Sequence, residues 1–238
     1  MSKTQFSSLP LSVRILFALD LLLLVLYLIN MTLGEPNPWL NRFLDLNDEN
    51  NLSTWYSSIQ LFLVALQSGL AVYGDQIRTN RKQVMLWLLP LLFLFLSLDE
   101  TAMIHETLGD WSDSLLPGGS RENTPYPVTG IWMLLFGVPF LVGIVLLGMW
   151  IDRQMEWTGK LRALFLAGIG VFLGSALGIE TLSNWLVSGA GYYAEVSLEE
   201  FGELAGGTLL FWFSRELLRS RGMQLLFGDR PQDPGLYT

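Results

Sequence analysis

Six apolar blocks, each close to the ~20 residues a helix needs to cross a bilayer, divide the chain. They occupy residues 13–33, 54–73, 84–108, 128–150, 161–186 and 197–218. Inside hydrocarbon every backbone N–H and C=O must find its partner within the segment or a closed barrel, and blocks of this length and unbroken apolarity suit helices. With 51% apolar residues, 15% charged residues and a mean hydropathy of +0.40, the 238-residue chain is too apolar for a soluble domain of its size. The expected fold is all-α: an integral membrane bundle of about six transmembrane helices, with residues 1–222 as a single domain. The first block is too long for a signal-peptide core and lacks a small-residue cleavage site, so it is expected to be retained. The tail 223–238, with Asp229, Pro231, Pro234 and Gly235, reads as disordered.

Basic residues sort the connecting segments. Arg78, Arg81 and Lys82 share one short loop, and Arg153, Lys160 and Arg162 share another. Lys3 and Arg14 flank the first block, and Arg215, Arg219 and Arg221 close the last. The alternate loops hold only Arg42 and Arg121. The positive-inside rule therefore places both termini in the cytoplasm. A net charge of −8 with no basic patch argues against a nucleic-acid partner. The absence of cysteine excludes disulfides, iron–sulfur clusters and thiolate metal sites, and a single histidine excludes histidine-rich metal centres.

Against this apolar background stand Asp99, Glu100, Glu106, Glu180, Glu199, Glu200 and Glu203, with His105 among them. A carboxylate at the centre of a membrane helix costs roughly 2.5–3.5 kcal/mol even on insertion scales, so a group of them calls for a function. At about 1.5 Å per helical residue, Asp99 lies about 26 Å above Lys82 and Glu180 about 27 Å above Arg162. Glu199 and Glu203 lie about 24 and 18 Å above Arg215, and Gln60 about 27 Å above Arg78. Four spans thus deliver polar groups to one level in the outer leaflet. Asp99, Met103, Glu106 and Asp110 are expected to share one face of the third span, and Glu199 and Glu203 one face of the sixth.

Two outward-side arginines cannot neutralise seven acids by pairing. The remaining options are bound divalent cations, shared protons or hydration. Asp99, Glu106, Glu180, Glu199, Glu203 and His105 are the candidate metal ligands, with Glu100, His105 and Glu200 as candidates for further ligation or proton transfer. Oxygen ligands with one imidazole suit Fe or Mn, and also admit Zn or Ca.

Other features are weaker signals. Asp45, Asn47, Glu49 and Asn51 alternate as in a calcium loop, but Asn50 stands where glycine is needed, so a solvated acidic loop is expected. Ser53 or Thr54 is the expected cap of the second span. Gly170, Gly174 and Gly178 form a stripe that would allow close helix approach, and Pro90 and Pro139 mark kinks. Asp20, about 9 Å above Arg14, is too far from the acidic level to join it and is expected to pair locally or snorkel.

The strings Leu98-Asp99-Glu100-Thr101-Ala102-Met103-Ile104-His105-Glu106 and Leu198-Glu199-Glu200-Phe201-Gly202-Glu203 resemble a group of uncharacterised bacterial polytopic membrane proteins, as does the run from Asn51 to Ser58. That resemblance implies a multi-pass protein of the bacterial inner membrane and supplies no mechanism. The leading functional expectation is a divalent-metal site facing the periplasm in a metal-dependent enzyme, an oxidoreductase or hydrolase, that takes a lipid-like substrate from the bilayer. The alternative is a cation or proton transporter using the same acids, with Asp20 and Gln67 continuing the pathway on the inner half.

Overall fold

A computed structural model describes residues 9–48, 50–80, 83–116, 118–122, 124–186 and 188–223. Lys3, Glu49, Arg81, Lys82 and the tail beyond Met223, to which sequence expectations attach, lie outside the described residues. Among the described residues there are eight α-helices and no strand: α1 (Leu11–Thr32), α2 (Pro38–Leu44), α3 (Leu52–Thr79), α4 (Leu88–Ala102), α5 (Ile104–Ser114), α6 (Val138–Met155), α7 (Gly159–Leu173) and α8 (Gly189–Ser220). Counting the tighter and wider turns that extend α4, α6 and α7, five helices are long and apolar enough to cross a membrane. The chain is a multi-pass, all-helical membrane protein. The residues of the sixth expected span lie within α8, 32 residues long, which is not one of those five.

Local chemistry explains the boundaries. Asn51, not Ser53 or Thr54, caps α3: its side-chain oxygen accepts from the Thr54 N–H at 2.8 Å and from the Ser53 hydroxyl at 2.8 Å. Its amide meanwhile donates to the Asp45 and Asp48 carbonyls, so the segment expected as a solvated acidic loop also serves as a capping turn. Pro90, which has no N–H to give to Leu86, follows the 3-10 turn Val84–Trp87 that leads into α4. Pro139 likewise follows a π turn, Met133–Gly137, at the start of α6. Both prolines thus sit where the helical winding changes.

Two expected spans are not continuous. The third breaks at Met103, whose backbone is left-handed (φ 50°), and restarts as α5. The fifth leaves α-geometry after Leu173, passing through a π turn, Gly174–Ile179, and a 3-10 turn, Glu180–Asn184. A helical wheel drawn across Met103 therefore fails, and Asp99 does not share one helical face with Glu106 and Asp110.

At the centre, α8 packs against α1, α3 and α7, and α3 also packs against α4. Ser58 and Ser97 lock α3 to α4 reciprocally, each hydroxyl donating to the other residue's carbonyl at 2.8 Å. The glycines that bring helices together are not the stripe expected on the fifth span. A Cβ at Gly170, Gly174 or Gly178 would meet nothing within 4 Å. The close approach lies on the facing surface: a Cβ at Gly206 would sit 2.5 Å from the Phe172 backbone nitrogen, and one at Gly168 would press on Leu210. At one end of the bundle, Arg221 pairs with Asp75 at 2.8 Å and donates to the Met155 carbonyl, tying α3, α6 and the end of α8 together. Burial pushes the Arg221 guanidinium below its ordinary pKa, and Asp75 opposes that shift. Trp157 stacks against Phe165 and Phe213 on the same side.

Candidate functional site

At the opposite end, the break, the two irregular turns and the first half of α8 surround a cavity of about 760 Å³. Asp99 and Glu100 reach it from α4, His105 and Glu106 from α5, Glu180 from the 3-10 turn, and Glu199, Glu200 and Glu203 from α8. All seven carboxylates of the acidic group read from the sequence border this one space. Phe95, Trp132, Phe136, Phe140 and Phe172 supply an apolar wall.

Within the cavity the acids divide. Glu203 lies in the electrostatic field of Glu200, Glu100, Glu199 and Glu180, while Glu199 faces Glu180, Glu200 and Glu195. Asp99 is engaged at the helix break instead. Restarting a helix leaves its first N–H groups without intrahelical acceptors. Asp99 Oδ1 accepts from the His105 backbone N–H at 2.9 Å, and its Oδ2 lies 3.1 Å from His105 Nδ1. The His105 ring also rests near Trp132, with centroids 5.6 Å apart. Glu106 is exposed at the cavity mouth. The central group is thus Glu100, Glu180, Glu199, Glu200 and Glu203, with the Asp99–His105 pair at its side.

Glu195 joins this group unanticipated, because it precedes the apolar block assigned to the sixth span. Its spacing was visible: Glu195, Glu199 and Glu203 recur at i, i+4 and i+8, one face of one helix. Glu195 is 3% exposed, and among the described residues its carboxylate meets no donor other than the carboxyl of Glu199. Its neighbour is another carboxylate, Glu199. Two carboxylates side by side in a low-dielectric space are compatible only with a proton or a cation between them. Among the described residues, however, no three Asp, Glu or His side chains stand together as a group that could hold a metal ion.

The rim is held by polar ties. Arg121 pairs with Asp113 and with Asp110 at 3.2 Å, and donates to the Val128 carbonyl at 2.7 Å. Asn184 accepts from the Val128 and Thr129 N–H groups at 2.9 and 3.2 Å and donates to the Thr129 hydroxyl at 2.9 Å. Arg121, one of two basic residues in the loops on this side, is thereby committed to the rim.

Asp20 is fully buried rather than snorkelling. Tyr56 and Gln60 donate to its Oδ1 at 2.8 and 3.1 Å, and Thr208 donates to its Oδ2 at 2.7 Å, which joins α1, α3 and α8. Thr208 carried no sequence signal of its own, and Tyr56 none beyond its place in the run from Asn51 to Ser58. Gln60 and Gln67 were visible, and with Ser53, Ser57 and Asp75 they recur at helical spacing along one buried face of α3.

No curated protein and no solved structure matches the chain. Residues 15–216 match a family described as a domain of unknown function, DUF8692, and the chain belongs to that family.

Proposed function

We propose that the protein is an enzyme of the bacterial inner membrane that binds one or two divalent cations in the acidic cavity and acts on a lipid-like substrate. The supporting observation is the buried Glu195 beside Glu199, a pairing of acids that needs positive charge between them. Glu180, Glu199 and Glu203 would hold the ion, with Asp99, Glu106 and His105 as additional ligands and Glu100 and Glu200 moving protons. Fe or Mn suits this donor set, and Zn or Ca is admissible. Because the acids line the cavity without closing into a ligand group, binding requires them to converge on the ion. The cavity volume of about 760 Å³ exceeds what an ion needs and falls within the range of small-molecule sites. Phe95 and Phe140, 5.9 Å apart and edge to face, form part of its wall between α4 and α6, and Phe95 is 40% exposed. That wall supports access from the bilayer. The basic flanks support a cytoplasmic position for both termini and a periplasmic cavity.

Elemental mass spectrometry on protein purified without chelators tests this reading. About one or two equivalents of metal are expected, falling in Glu199→Gln while the protein stays folded. Metal-free wild-type protein, or unchanged stoichiometry in the variant, rejects it.

Translocation of a cation or proton through the same cavity is the second reading. It is favoured by the break at Met103, since interrupted helices at membrane depth are where transporters expose backbone to an ion. Flux across proteoliposomes under an imposed gradient tests it.

A further inference from the structure

Polar side chains cross the α3–α8 interface at three levels. Gln60 donates to Thr208 at 2.9 Å, Ser214 donates to Gln67 at 3.0 Å, and Asp75 pairs with Arg221 at 2.8 Å. The numbers rise together in all three pairs, so the two helices run side by side in the same direction. Successive levels are seven or eight residues apart along α3, about 11 Å.

The first level begins at the cavity. Ser57 lines it, one turn from Gln60. The hydroxyl of Ser57, the Oε1 of Gln60 and the hydroxyl of Ser68 are all buried, with no hydrogen-bond partner among the described residues. Unpartnered oxygens in a polar, buried position are where a protein binds water. Gln60, one of the three, also donates to Asp20, whose hydrogen-bonding partners Tyr56, Gln60 and Thr208 are all neutral. Tyr56 is the titratable group that faces Asp20 from α3, and α8 presents the neutral Thr208. A lone carboxyl among neutral donors suits one unit of positive charge, a proton, rather than a divalent ion. Val64, fully buried, and Phe211, 4% exposed, lie between this level and the Gln67–Ser214 level. An apolar layer between two polar ones stops conduction until it wets.

We propose that the α3–α8 interface is a proton pathway with Asp20 as its relay. The Asp20 carboxylate accepts a proton arriving through water from the acidic cavity. It then releases that proton, past Val64 and Phe211, to the Gln67–Ser214 level and on toward Asp75 and Arg221. One O–H bond forms and breaks at Asp20 in each cycle, and nothing is oxidised or reduced. This inference sharpens the translocation reading and can fail separately from it.

Proteoliposomes enclosing a pH-sensitive dye, under a pH gradient with the membrane potential clamped, test the pathway. Wild-type vesicles are expected to move protons faster than empty ones, Asp20→Asn to fall to the empty-vesicle rate, and Asp20→Glu to recover flux. Val64→Ser, which wets the barrier without touching the relay, is expected to exceed wild type. Wild-type flux that Asp20→Asn leaves intact overturns the relay while leaving translocation standing. Unchanged flux in Val64→Ser overturns the placement of the barrier. Wild-type vesicles no faster than empty ones overturn the translocation reading and the pathway together.

Discussion

Asp20 and Glu195 are both acids enclosed by the bundle, yet their surroundings differ. Asp20 is enclosed by donors on three helices, so its removal orphans groups that were paired through it. A buried donor left without an acceptor costs about 1–3 kcal/mol, so Asp20→Leu should lower unfolding stability in detergent by at least about 2 kcal/mol. Asp20→Asn keeps part of the hydrogen bonding and should cost less. Glu195 meets no donor among the described residues except the carboxyl of a second acid, Glu199. Glu195→Gln should therefore raise the melting temperature of chelator-treated protein, because it removes a repulsion that protons or ions otherwise relieve. A lower melting temperature in that variant would mean that the carboxylate is held by favourable contacts.

The helices owe their positions to a few backbone sites. Met103 takes a left-handed conformation that costs a non-glycine residue roughly 1–2 kcal/mol. Glycine there relieves the strain but loses about 0.5–1 kcal/mol of backbone entropy. Met103→Gly should thus stabilise the fold by about 0.5–1 kcal/mol, and Met103→Val should destabilise it; thermal unfolding reads both. On α8, even the methyl of Gly206→Ala would collide with the α7 backbone at Phe172, at an expected cost of about 1–3 kcal/mol. The matched control, Gly170→Ala, meets open space and should be neutral or stabilising by up to about 1 kcal/mol. If both glycines tolerate alanine equally, the α7–α8 contact is not where the structure has it.

Across the whole molecule, the acidic cavity and the Asp75–Arg221 clamp occupy opposite ends of one bundle. The chain has no native cysteine, so single-cysteine variants report topology without background. Glu122→Cys should react with a membrane-impermeant thiol reagent in intact cells, and Asn80→Cys only after lysis. The reverse pattern would invert the proposed orientation.

Much of this architecture was legible from composition alone. Apolar blocks of bilayer length admit helices, and rise per residue carries the acids of separate blocks to a common depth, where the structure lines them around one cavity. Those are properties of one chain segment at a time, which is why they can be counted from residues. The break at Met103, the unwinding beyond Leu173, the shift of helix contact from Gly170 to Gly206, and the enclosure of Asp20 by Tyr56, Gln60 and Thr208 were not countable in that way. Each depends on which face of one helix meets which face of another, and periodicity does not specify that pairing when nearly every face is apolar. Glu195 lies between the two cases: its spacing from Glu199 and Glu203 is a property of the sequence, but only packing placed it in the cavity rather than in a solvated loop.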